Sequence, residues 1–215
     1  GVAEIYADKT CCVVGGNGQM GSWLVKYATS LGYQTISLDQ GDILDHRIVD
    51  ADLVLLSAPL EIMDTVLQEI LELRPRGVVL EIASLKSHLL DLVKKGIKDG
   101  IKIASIHPMF GPETDLLSGQ NLVVCEAGCA EAEKVASDMF TGTAVNIVHI
   151  PIEKHDLYMT WVLNLPHLMN LIMGDLLFKS GVPHDMLSSL GGTTFNKQLS
   201  VSDEVMSENP DLYFH

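Results

Sequence analysis

The sequence predicts an α/β protein, with a Rossmann-type doubly wound sheet over residues 1–150 followed by a smaller all-α domain over residues 151–215. Three observations carry that prediction. From Thr10 onward, short apolar runs rich in β-formers alternate with segments of helical period. A glycine-rich turn follows the first run directly. After Pro151 the alternation stops and only helical texture remains.

The first run, Cys11–Val14, is apolar throughout and predicts a strand buried on both faces. It enters Gly16-Asn17-Gly18-Gln19-Met20-Gly21, beyond which Met20–Leu31 carries apolar residues at three- and four-residue spacings. Strand-like runs recur at Gln34–Leu38, Leu53–Ala58, Val78–Ile82, Lys102–Ile106, Leu122–Cys125 and Asn146–Ile150. Helical segments fall between them at Glu61–Leu73, Leu85–Gly96 and Ala130–Phe140. Such alternation predicts parallel strands joined by crossover helices. The C-terminal part reads as helices over Ile152–Ser180, Pro183–Leu190 and Gln198–Glu208, with Pro166 kinking or interrupting the first.

With 215 residues, 47% of them hydrophobic and 20% charged, the chain can bury a substantial core. Its 14 basic against 28 acidic residues give a formal charge of −14, which repels nucleic acid and anionic lipid. An anionic substrate therefore needs locally placed donors. Cys11, Cys12, Cys125 and Cys129 lack zinc-site spacing and read as reduced structural thiols of a cytoplasmic protein, with no metal expected. Trp161–Phe178 is apolar but interrupted by Asn164, Pro166, His167, Asn170 and Asp175, which predicts a packed helix rather than a membrane span. Its apolar surface exceeds what a short helical domain can cover, so a homodimer through these helices is expected.

A glycine triplet alone is weak, but Gly16-x-Gly18-x-x-Gly21 between a strand and a helix is specific for a dinucleotide. Gly16 allows the tight turn, Gly18 lets the backbone approach a pyrophosphate, and Gly21 lets the helix pack against the sheet, while Asn17, Gln19 and Met20 complete the loop. Asp39 lies 18 residues past Gly21 at the end of the second strand, placed to accept hydrogen bonds from ribose hydroxyls. Gln40, Gly41 and Asp42 offer no cation for a 2′-phosphate, so NAD is expected rather than NADP.

Further segments resemble the prephenate/arogenate dehydrogenase family of tyrosine biosynthesis over nearly the whole chain. Val13 to Gly21 resembles the family's opening loop, Ile82-Ala83-Ser84-Leu85-Lys86-Ser87 its Ser-Val-Lys segment, and Ser105-Ile106-His107-Pro108-Met109-Phe110-Gly111-Pro112 its His-Pro-Met-Phe-Gly segment. Glu153-Lys154-His155-Asp156 with Leu165-Pro166-His167 is similar to its His-Asp and Leu-x-His pair, and Glu208 to Tyr213 resembles its next helix junction. The resemblance implies oxidative decarboxylation of a cyclohexadienol: hydride leaves ring C4 for NAD, carbon dioxide departs and the ring becomes aromatic. His107, at a strand's carboxyl edge, is the expected acceptor of the 4-hydroxyl proton. Ser84 is expected either to orient that imidazole or the substrate hydroxyl, or simply to cap a helix beginning near Leu85. Lys86 reads as a solvated first-turn residue. His167 is weighed as a substrate contact against a polar residue in a helix interface, and His155 carries less signal than His167.

One region departs from the family. Aligned on Phe195 and Pro210, the positions where relatives carry arginine fall on Asn196 and Glu204, and Lys197 is the sole cation beyond Lys179. Lys197 is therefore the expected carboxylate contact, although lysine does not reproduce arginine's bidentate fork. Relatives continue past the equivalent of His215 with further helices, so the resemblance implies a truncated second domain. Two other readings stay open: a dehydrogenase of another small hydroxy acid, and a non-catalytic NAD-binding regulatory relative.

Overall fold

The computed structural model describes residues 6–207. The chain forms two compact units, the first ending at Asp156 and the second beginning at Leu157, where the sequence pattern placed the change at Ile150/Pro151. His155 and Asp156 thus belong to the first unit.

In chain order the first unit comprises β1 (Thr10–Val14), α1 (Gln19–Ser30), β2 (Gln34–Leu38), α2 (His46–Asp50), β3 (Leu53–Leu56), α3 (Leu60–Glu72), β4 (Val78–Glu81), α4 (Leu90–Lys98), β5 (Lys102–Pro108), β6 (Asn121–Glu126), α5 (Ala130–Met139) and β7 (Asn146–Pro151). The seven strands form one sheet in the order β2-β1-β3-β4-β5-β6-β7. Strand β1 pairs in parallel with β2 on one side and β3 on the other, which opens a crevice outside their carboxyl ends where the winding reverses.

Side-chain alternation builds a core on each face. Cys11, Val13, Leu53, Leu55, Leu80 and Ile106 pack with Leu24 and Ala28 of α1 and Ala132 and Ala136 of α5. Cys12, Val14, Val54, Leu56, Val79 and Ile103 pack with Ile48 of α2, Met63 and Leu67 of α3 and Val93 of α4. The sheet is thereby covered by helices on both sides, the condition for the unbroken apolar strands of the sequence.

Strand polarity departs from the expected all-parallel pattern. Strand β6 runs antiparallel to β5, with His107 opposite Val123, and β7 runs parallel to β6. Residues 109–120 between β5 and β6 form no crossover helix, and a connection without one returns antiparallel. The Met109 N–H donates to the Asn121 carbonyl to close the turn.

Helix α4 begins at Leu90, not Leu85. The backbone N–H groups of Lys86 and Ser87, which precede it, are taken by the Asp156 carboxylate at 2.9 and 2.8 Å. Ser84 is consequently not a helix cap.

A 3₁₀ turn (Ile152–Lys154) leads from β7 to α6 (His155–Met159). In the second unit a π-helical turn, Thr160–Asn164, precedes α7 (Leu165–Lys179), and α8 (His184–Leu190) and α9 (Thr193–Ser207) follow. The expected interruption at Pro166 takes this form: proline sits in the first turn of α7, where its missing N–H costs least, and the wider π turn accommodates the ladder before it. Helix α9 starts earlier than the expected Gln198. Asn170 of α7 accepts from Ser202 of α9 at 3.0 Å, and Gly174 lies so close to Met206 that a Cβ there would meet its Cγ at 2.9 Å. Among the described residues no helix is long and apolar enough to cross a membrane. The expected junction from Glu208 to Tyr213 lies outside the described residues.

Candidate active site

The glycine loop leaves β1 at the winding reversal. The left-handed backbone falls on Gly15, with φ of +82° and its N–H donating to the Leu38 carbonyl at 2.8 Å, rather than on Gly16. Gly16 is constrained by proximity instead, since a Cβ there would meet Ser37 Oγ of β2 at 2.1 Å. A Cβ on Gly21 would meet the Gly15 carbonyl oxygen at 1.9 Å, so α1 could not sit this close to the loop with any other residue. Gly18 differs from both. It is the N-cap of α1, supplies no side-chain cap, and a Cβ there would contact only the Gly15 oxygen, at 3.3 Å.

A side chain at Gly18 would therefore project into the open space beside a helix N-terminus without acidic first-turn residues. Gln19 and Met20 open that helix. Asp39, just past β2, is half-buried, and its Oδ2 accepts the Asn17 N–H at 2.8 Å. That bond fastens the carboxylate to the loop while Asp39 retains lone pairs. A bare-backbone cradle, an uncapped helix end and a carboxylate at the neighbouring strand end fit a dinucleotide's pyrophosphate and ribose.

The second cluster lies at the same carboxyl edge, on β4 and β5. Glu81 and Ser105 are register partners, so both point to the face covered by α3 and α4, as does His107 two residues on. Glu81, Lys86, Ser105 and His155 are buried, and His107 is 7% exposed. Lys86 was expected in solvent; instead its Nζ donates to Glu81 Oε1 at 2.9 Å, Glu81 Oε2 at 3.1 Å and the Ile106 carbonyl at 2.8 Å, which uses all three protons. Glu81 also accepts from Ser105 Oγ and from the Ala83 N–H. A buried ion pair persists only when so fully bonded. The sequence signal was available: a glutamate inside a run buried on both faces requires a cation, and Lys86 is close enough in sequence to supply it.

His107 Nδ1 lies 2.9 Å from His155 Nε2, and His155 Nδ1 lies 2.7 Å from Asp156 Oδ1. Burial, with the Lys86 charge and His155 adding to it, pushes the His107 imidazole down to about 3. Burial likewise lowers His155. Burial alone would raise Asp156, but the hydrogen bonds from His155, Lys86 and Ser87 hold it at about 2. The carboxylate is thus ionised and the imidazoles neutral near neutral pH. Among the described residues His107 Nε2 has no hydrogen-bond partner and no buried side-chain nitrogen lacks one, so Nε2 is open to solvent.

Ser84, exposed after β4, makes no side-chain hydrogen bond among the described residues, so it holds neither nitrogen of the His107 ring here, and Nδ1 of that ring faces His155. His167, in the first turn of α7, and Lys197, exposed on α9, belong to the second unit. Asn196 donates to the Gly191 carbonyl at 3.1 Å and Glu204 accepts from Ser200 at 3.3 Å. A depression of about 190 Å³ between α3 and α4, lined by Gln68, Glu72, Lys95 and Asp99, sits at the helices' carboxyl ends and so at the opposite sheet edge.

The second unit's relatives are the same as the first's. A T-protein of Enterobacter agglomerans is 26% identical over 203 residues, covering 94% of this chain and 54% of its own length. A probable arogenate/prephenate dehydrogenase of Methanocaldococcus jannaschii is 21% identical over 224 residues, covering 95% and 50% respectively. The chain thus spans about half the length of the curated relatives it matches. Among solved structures, the prephenate dehydrogenase of A. aeolicus in complex with hydroxyphenyl propionate and NAD+ shares the fold, with a TM-score of 0.71 at 18% identity over 95% of this chain and 80% of that one. Residues 32–148, more than half of the chain, match the family described as prephenate dehydrogenase, nucleotide-binding domain. On that match, and on a glycine cradle and a strand-end histidine at one sheet edge, the chain belongs to the prephenate dehydrogenase family.

Proposed function

We propose that this chain catalyses the NAD-dependent oxidative decarboxylation of prephenate, arogenate or a related cyclohexadienyl acid, with His107 as the proton acceptor. The observation that carries the reading is the His107 ring, neutral, fixed through Nδ1 and open at Nε2 on the strand edge that also bears the glycine cradle. Gly16, Gly18 and Gly21 with Asp39 would hold NAD, which when bound supplies the hydride acceptor. His107 Nε2 takes the 4-hydroxyl proton as the C–H bond breaks, and loss of carbon dioxide gives the aromatic product. A positioned base of this kind contributes about 10²–10⁴ in rate. With its imidazole role filled by His155, Ser84 is left to hydrogen-bond the substrate hydroxyl. His167 and Lys197 are the proposed contacts for the substrate's carboxylates. Free thiols at Cys11, Cys12, Cys125 and Cys129 support a reducing, cytoplasmic setting.

Purified protein given NAD and prephenate, then arogenate, should generate NADH absorbance. His107→Asn should remove it while NAD affinity measured by calorimetry stays unchanged. No NADH with either acid would overturn the reading. We further propose association into a homodimer through α7, whose Leu168, Met169, Ile172 and Leu176 are each more than half exposed. Light scattering should give twice the chain mass at micromolar concentration, and a single-chain mass would refute it.

A further inference from the structure

The hydrogen-bond order around His107 fixes more than its position. Asp156 is an acceptor on both oxygens: the Lys86 N–H reaches Oδ1 and the Ser87 N–H reaches Oδ2. The His155 Nδ1 that faces Oδ1 at 2.7 Å must therefore carry a proton. A neutral His155 is then bare at Nε2, where it can only accept. The His107 Nδ1 opposite it, at 2.9 Å, must be the donor, and a neutral His107 is then bare at Nε2.

We propose that His155 and Asp156 are positioning residues that lock His107 in the Nδ1–H tautomer, so that its lone pair is presented at Nε2 to the substrate's hydroxyl. The assignment deepens the dehydrogenase reading above and rests on it for the identity of the proton donor. The tautomer itself rests on this chain alone.

Two features make the lock specific. The carboxylate is fastened by backbone amides from a different segment, so Asp156 cannot turn away from His155 without losing both. Burial keeps both rings neutral in the resting state, and the buried Lys86 ammonium, already saturated by Glu81 and the Ile106 carbonyl, adds a positive charge that acts in the same direction. When His107 Nε2 receives the hydroxyl proton, the Nδ1 proton lies on a 2.9 Å path to His155 Nε2. The cation that forms is then shared with the imidazole whose other nitrogen already donates to Asp156. One proton enters at Nε2, the chain of three groups gains one positive charge, and no further co-reactant is needed.

Isotope-edited NMR of the imidazole nitrogens in the full chain tests the lock without substrate or cofactor. Wild type should show His107 protonated at Nδ1 and bare at Nε2. His155→Phe, which keeps a ring but removes the acceptor, should shift His107 toward the Nε2–H form and lower kcat by about 100-fold or more, with the KM for NAD unchanged. His155→Gln, which restores an acceptor oxygen at similar reach, should recover the Nδ1–H form and much of the rate. A wild-type His107 protonated at Nε2 overturns the proposal, with or without a folded His155→Phe, and so does a His155→Phe protein whose His107 signals match wild type. The expected nitrogen signals in a protein that turns over neither prephenate nor arogenate would uphold the lock and overturn the dehydrogenase reading.

Discussion

Lys86 carries a full charge in a side chain with no exposed surface, and Glu81 is equally buried against it. Each leaves the other uncompensated if removed, and breaking a buried pair from one side typically costs about 3–5 kcal/mol. Lys86→Met keeps most of the volume but strands the Glu81 carboxylate among Ser105, Ala83 and hydrocarbon. Chemical denaturation should show a loss of that order at unchanged m-value, whereas the double replacement Lys86→Met with Glu81→Leu should recover much of it. A single variant as stable as wild type would show that the pair contributes nothing to the fold. The residue's fate illustrates why such a position is hard to place from sequence: Ser84 offers a helix cap there, but what draws Lys86 inward is the buried Glu81 carboxylate together with the Ile106 carbonyl 20 residues later. His155 was underweighted for a related reason, because its significance lies in a partner 48 residues earlier, a separation to which periodicity is blind.

At the scale of elements, the glycine loop separates two duties that look alike in the sequence. Gly21 keeps α1 against the loop backbone, and Gly18 leaves the space at the helix N-terminus clear of a side chain. Gly21→Ala would force its Cβ into a backbone oxygen 1.9 Å away and should lower the thermal midpoint by several degrees. Gly18→Ala meets only an oxygen at 3.3 Å, a contact that asks for a shift of a few tenths of an ångström, and should lower the midpoint less than Gly21→Ala does while weakening NAD binding about tenfold or more. Equal effects of the two changes on stability would contradict this division. Strands β1, β3 and β4 were legible because each centres on an unbroken apolar run, Cys11–Val14, Leu53–Leu56 and Val78–Leu80, beside turn residues. The reversed direction of β6 was not, since nothing in its Leu122–Cys125 core encodes polarity; that information resides in the missing helix between residues 109 and 120. Helix α2, five residues long and capped by Asp45 accepting from the Arg47 N–H, was too short to show a period.

For the whole molecule, three site groups bias stability in the same direction with pH. His107 is held at about 3 in the folded protein against about 6.5 when unfolded, and His155 is lowered too. Between those values the unfolded chain binds protons that the folded chain refuses, so stability falls as pH drops from about 6.5 toward 3. Asp156, at about 2 against about 3.9 unfolded, extends the loss below pH 4. Each fully titrating histidine adds a slope of about 1.4 kcal/mol per pH unit. Thermal midpoints measured from pH 7 to pH 4 should decline, and His107→Asn should flatten the decline. A flat wild-type profile would mean that neither ring is shielded as described.

The sheet also divides the molecule's tolerance of change. Glu81, Lys86, Ser105, His107 and His155 all gather on the side roofed by α3 and α4 and at its edge, whereas the buried strand positions facing α1 and α5 present only hydrocarbon and the Cys11 thiol. Exchanges among Leu, Ile, Val and Met of matched volume should therefore drift freely beneath α1 and α5, where shape is the only requirement. Beneath α3 and α4 the positions bordering Glu81, Lys86, Ser105, His107 and His155 must also keep water from those charges and rings, and the same drift would be purged around them, so divergence within such a protein is expected to be lopsided across a single layer of backbone.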